Sequence, residues 1–238
     1  MSLEEKALID SIFAKALDHE ALYTLLDTLK PISSIKFYKL PLLSTNKEQA
    51  DSASTALFNL QNAINKLNSK TFSFILNPFE RKDSIYKNFE LYVVRNKKLA
   101  TAISNQKSFY NAIGISPLAK PETVLAITEY ENKYNRWRSY GFLFGYPNYA
   151  VDFFVNAGKT QDSTNQFVKR DFFAIPVFVG DRGHFTYAIP KDYKTNEADS
   201  TLYNTALATL NKYKTIRLKY EQSNGLQATQ LFLKYSKK

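Results

Sequence analysis

The chain predicts an α+β fold, an antiparallel sheet built from hairpins and covered by several amphipathic helices. Three observations carry this. Segments with apolar residues at three- and four-residue steps interleave with short β-branched and aromatic runs. Regular strand–helix–strand alternation is missing, and Gly180-Asp181-Arg182-Gly183 supplies a reversal between two apolar runs. No repeat, low-complexity tract or linker rich in Gly, Ser or Pro divides the 238 residues, so one α+β domain over 1–238 is expected.

From Leu3 to Leu29, apolar residues at Leu8, Ile12, Ala16, Leu22, Leu25 and Leu29 follow helical spacing, and Pro31 stops the run. Residues 32–40 alternate, with Ile35 and Phe37 on one side and Lys36, Tyr38 and Leu40 on the other, and read as a strand. Asn46–Asn68 is an amphipathic helix with Glu48 and Asp51 near its start. Residues 71–76 and 89–94 are β-branched and aromatic, and the polar segment between them makes an antiparallel pair with a long loop.

Leu99–Ile113 returns to helical spacing, with Gly114 placed to cap it. Pro121-Glu122 suits the first turn of a helix whose seam runs Ile127, Tyr130, Tyr134, Trp137 and Gly141. Residues 172–179 and 184–189 form the second hairpin around Gly180–Gly183, and Pro176 implies an edge or a bulge. Ala198–Tyr220 reads as helix, and Leu226–Tyr235 fits helix or strand.

Composition excludes several chemistries. Cysteine is absent, which removes disulfides, thiolate metal sites and a cysteine nucleophile. With only His19 and His184, neither a metal nor a cofactor is expected, and no G-x-G-x-x-G or P-loop pattern occurs. No run reaches the roughly 18–20 apolar residues of a membrane span. The acidic start MSLEEKALIDSIF is unlike a signal peptide, so a cytoplasmic protein is the default; export is the alternative if a leader once preceded Met1, the sole methionine.

Net charge is +10 but regional, at −2, +7, 0 and +5 for residues 1–60, 61–120, 121–180 and 181–238. A basic second quarter suits phosphates or anionic surfaces.

The densest cluster of special residues is Tyr134–Gly158, YNRWRSYGFLFGYPNYAVDFFVNAG, which holds the only tryptophan and three of the seven glycines. Glycine and proline mark tight geometry, here a helix, a corner after Gly145, and a second helix from Pro147 capped by Gly158. Packing accounts for the glycines and the aromatic seam. It does not require Arg136, Arg138, Tyr140, Tyr146 or Asp152, which become the candidate ligand-binding residues. Two arginines beside a helix start fit a small anionic ligand or an acidic partner, bound without catalysis.

A hydrolase- or transferase-type enzyme is the alternative, with His184 as base and Asp152 or Asp181 as its orienter. A third reading is single-stranded nucleic acid on segment 79–98, where Arg81, Lys82, Lys87, Arg95, Lys97 and Lys98 interleave with Phe79, Tyr86, Phe89 and Tyr92. A solvated strand pair is the plainer reading of that segment, and nucleic acid is not the favoured partner.

Overall fold

The structure is a computed structural model that describes residues 2–80, 83–223 and 225–236, with the backbone alone for 181–184. It is a mixed helical and antiparallel β protein. The chain opens with α1 (Leu3–Asp18), started by the Ser2 hydroxyl accepting from the Glu5 N–H, and a short α2 (Leu22–Leu25). One helix was expected over 3–29. It breaks at His19, whose backbone is extended, and the turn carries Glu20 inward.

Strand β1 (Ile32–Leu40) is followed by α3 (Lys47–Asn65), capped by the Asn46 side chain, and by β2 (Phe72–Pro78) and β3 (Lys87–Arg95). These strands form an antiparallel sheet in the order β1-β3-β2. The central strand β3 is buried on both faces. Leu91 and Val93 join Phe72 and Phe74 against α1 and α3, whereas Tyr92 and Val94 face the other way with Ile75 and Ile32. In β1 the register slips between Ser34 and Lys36, so Ile35 is an extra residue. The bulge resets the alternation: Ile35 is buried while Phe37, expected on the same side, is exposed.

Beyond β3 come α4 (Asn96–Asn105), α5 (Lys107–Ala112), α6 (Pro121–Tyr130), α7 (Lys133–Leu143) and α8 (Asn148–Thr164). The seam expected to continue through residue 130 is interrupted. Asn132 accepts from the Asn135 N–H at 3.1 Å, which starts α7 afresh and leaves Tyr130 at the surface. Together these helices cover the second face of the sheet.

The second hairpin is β4 (Arg170–Val177) and β5 (Gly180–Pro190). Its register slips at Pro176, as the proline implies, and the Tyr23 hydroxyl donates to the Pro176 carbonyl. The reversal falls at Phe178-Val179, not at Gly180–Gly183, because tertiary contacts fix it there. The Val179 N–H donates to Asp18 O at 3.2 Å, and the Arg217 guanidinium lies 4.2 Å from the Phe178 ring centroid. The chain ends with α9 (Glu197–Arg217), a two-residue pair β6 (Glu221–Gln222) and β7 (Gly225–Leu226), and α10 (Ala228–Tyr235).

The two larger sheets stay separate. Phe74, Leu91 and Val93 of one share a core with Ile175, Phe185 and Tyr187 of the other, together with α1, α2 and α9. No helix among the described residues is long and apolar enough to cross a membrane.

Candidate functional site

The corner between α7 and α8 is built by glycines at three close approaches. Gly145 has φ +77°, and a Cβ there would stand 2.8 Å from Leu29 O, so this residue lets the corner pass against the chain entering β1. A Cβ on Gly141 would sit 2.7 Å from Val151 Cγ2, and one on Gly158 would overlap the Trp137 ring. The two helices therefore interlock through Val151 and Trp137. Gly158 was expected to cap α8, yet the helix runs on to Thr164, where left-handed Asn165 ends it. Its glycine serves the indole, not the terminus.

Where this helix pair meets β4 and β5, a pocket of about 290 Å³ opens. Its walls are the rings of Trp137, Tyr140, Phe144, Tyr146, Phe154, Phe172 and Tyr187. Gly141, Ala150, Val151, Thr186 and Ala188 complete the lining, and among the described residues no charged side chain takes part. Phe172 pairs with Ala188 across the hairpin, and Thr186 shares their face. Thr186 Oγ1 is covered and has no hydrogen-bond partner among the described residues, an unfavourable state for a hydroxyl. Phe172 is largely exposed and opens the pocket to solvent on that side.

The five candidate binding residues divide. Tyr140 and Tyr146 line the pocket. The Tyr140 hydroxyl donates to Glu129 Oε2 at 2.7 Å, and burial pushes both phenols well above their usual range, so they are neutral donors. Arg136, Arg138 and Asp152 lie elsewhere. Arg138 pairs with Asp152 across the two helices, and Arg136 donates to Glu129 O at 3.1 Å with Glu80 at 3.6 Å. Of the catalytic candidates, the side chains of His184 and Asp181 lie outside the described residues, and Asp152 is half exposed and paired.

In the 79–98 segment, Phe89 and Tyr92 are core residues and offer no ring to a base. Phe79 packs on Phe37, Tyr86 lies under Lys39, and Arg81 and Lys82 fall outside the described residues.

A second polar feature adjoins the pocket. Lys30 is fully enclosed, its ammonium 2.5 Å from Glu20 Oε2 and facing the rings of Phe185 at 4.2 Å, Phe144 at 5.1 Å and Tyr146 at 5.8 Å. Burial lowers its pKa, which Glu20 partly offsets. Glu20 also accepts from the Ser34 N–H, and the Ser34 hydroxyl donates to Glu90, whose pKa is raised by burial. Glu20 and Glu90 line an open groove of about 690 Å³ beside α1 and β1, with His19, Lys15 and Lys36 around it. Lys30 thus stands between groove and pocket.

Sequence reasoning missed Lys30, which carries no signal beyond its place before Pro31. It also missed Thr186 as a lining residue, although its sharing a strand face with Ala188 was readable. Among the described residues, no cluster of three or more His, Asp or Glu side chains is arranged to hold a metal ion. Compared with models of known families, with curated proteins and with solved structures, the chain matches none.

Proposed function

We propose that this is a non-catalytic binding protein for a small, flat, largely apolar acid held at the 134–158 corner. The observation that carries the reading is the aromatic pocket, whose seven rings offer stacking and edge contacts to a planar body. The acidic group is assigned to Arg170. It shares a face of β4 with Phe172, its guanidinium lies 5.8 Å from the Phe154 ring centroid, and no carboxylate partners it among the described residues. Arg136 and Arg138, first in line on the sequence, are already engaged by Glu129, Glu80 and Asp152.

Trp137, the only tryptophan, lines the pocket and is a built-in reporter. The test titrates the protein with 1-anilinonaphthalene-8-sulfonate, a flat aromatic anion, and follows energy transfer from Trp137. Saturable transfer is expected, abolished in Ala188→Phe, which fills the pocket, and weakened in Arg170→Ala. If Ala188→Phe keeps its melting temperature and binds the dye as the parent does, the pocket is not the site.

A further inference from the structure

Among the described residues, no basic side chain of 61–120 lines the aromatic pocket. Much of that segment's positive surplus gathers elsewhere, around a hollow of about 590 Å³ where the chain entering β2, the end of β3 and the start of α4 approach the segment after α2. Lys70, Arg95, Lys97 and Lys98 line it together with Thr28, Thr71 and Thr101, and among the described residues no carboxylate does. Among the described residues, Lys70, Lys97 and Lys98 have no ion-pair partner. The acid that acts on Arg95, Asp27, is itself occupied by the Thr28 N–H at 2.5 Å and by the Thr209 hydroxyl.

The Arg95 guanidinium is held in place by the main chain and a ring. Its Nε donates to Thr24 O at 2.8 Å, its Nη2 donates to Leu25 O at 2.9 Å, and Phe72 lies 4.7 Å from the guanidinium. That fixes the plane and leaves Nη1 without an acceptor among the described residues. The same residue is the N-cap of the ten-residue helix α4, which has no side-chain cap and no acid in its first turn. The Asn96 N–H donates to Thr71 O at 3.0 Å, while the amides of Lys97 and Lys98 have no intrahelical acceptor. Four like charges around one concavity repel one another, and a bound anion turns that repulsion into attraction.

We propose that this hollow binds a small phosphate-bearing anion. Forked guanidinium donors, lysine point charges and threonine hydroxyls match the tetrahedral oxyanion, and the helix start adds its positive end. A small ligand is favoured over a nucleic-acid strand because among the described residues no aromatic ring lines the hollow to stack a base, and Phe72 is buried beneath Arg95.

The test is calorimetric titration with inorganic pyrophosphate at two salt concentrations. Saturable binding that weakens with salt is expected, and Lys70→Ala/Lys98→Ala should lower the affinity by ~10-fold or more, given the strength of charge-assisted hydrogen bonds. A control pair, Lys36→Ala/Lys39→Ala, removes the same charge elsewhere and should bind as the parent does. Absence of pyrophosphate binding, or equal loss in both double variants, overturns the proposal. So does binding to a single-stranded oligonucleotide or to phosphatidic acid vesicles that pyrophosphate fails to compete away.

Discussion

The ammonium of Lys30 and the carboxylate of Glu20 meet at 2.5 Å, with the lysine wholly enclosed and the glutamate at the edge of a groove. The two ends of this pair are therefore unequal. Removing the glutamate charge strands a buried cation, whereas removing the lysine leaves an anion within reach of water. We expect Glu20→Gln to cost about 3–5 kcal/mol and Lys30→Met far less, since losing one partner of a buried pair is severe and an apolar replacement is often neutral. Urea unfolding of the two variants decides it, and the reverse ranking would show that the cation is solvated through the groove.

Alkaline pH sets this lysine against the tyrosines. Burial holds Lys30 below its usual 10.5, so the unfolded chain binds that proton more readily and the group adds stability as pH rises towards 10.5. Tyr23, Tyr92, Tyr110, Tyr140, Tyr146 and Tyr213 move the other way, each raised chiefly by burial, and Tyr38 is pushed up to about 12. Their stabilisation is fully present below the ordinary phenol value of 10.0 and is lost as pH climbs through the folded values. Several phenols outweigh one lysine. The melting temperature should fall steeply above pH 10, with phenolate absorbance appearing together with unfolding; phenolate that appears before unfolding would contradict this.

Gly158 tests the interlock of α7 and α8. Its mid-helix place makes alanine the better helix former by about 1 kcal/mol, yet a Cβ there overlaps Trp137. Overpacking of this kind costs about 1–3 kcal/mol and should win. Gly158→Ala should therefore lower stability and shift the Trp137 emission. A stabilised variant with unchanged emission would show that the indole yields freely.

The sequence-readable part of this protein is its periodic part. Residues 32–40 appear as β1 at the expected limits, the 71–76/89–94 pair is antiparallel, and Pro176 marks a bulge. What escaped reading were tertiary decisions. The break at His19, the bulge at Ile35 and the turn at Phe178-Val179 depend on partners far along the chain, such as Ser34 for Glu20 and Asp18 for Val179. The candidate site was half legible for the same reason. Glycine, proline and tryptophan located the corner, but whether Arg138 faced a ligand or Asp152 depended on the pairing of two helices.

Asp199 joins the pocket to the start of α9, and its role can be separated by two substitutions. One carboxylate oxygen accepts from the hydroxyls of Tyr149 and Tyr187, the latter at 2.6 Å, and the other accepts from the Asn196 N–H at 3.0 Å. Asn196 returns a bond by accepting from the Asp199 N–H, which closes a capping box. The residue is fully buried, so Asp199→Ala leaves three donors without an acceptor. Adding a lost cap to unmet buried donors gives an expected cost of about 3–5 kcal/mol. Asp199→Asn keeps one acceptor oxygen and should fall between. Tyr187 also lines the aromatic pocket, so the asparagine variant, still folded, should bind the naphthalene sulfonate more weakly than the parent. Its Tyr149 and Tyr187 phenols should also titrate at lower pH than in the parent, because burial raises both and the Asp199 hydrogen bonds raise them further. Unchanged dye affinity together with the lowered titration would confine Asp199 to stability and leave the placing of Tyr187 to its stacking on Phe173 and its tilted contact with Tyr146.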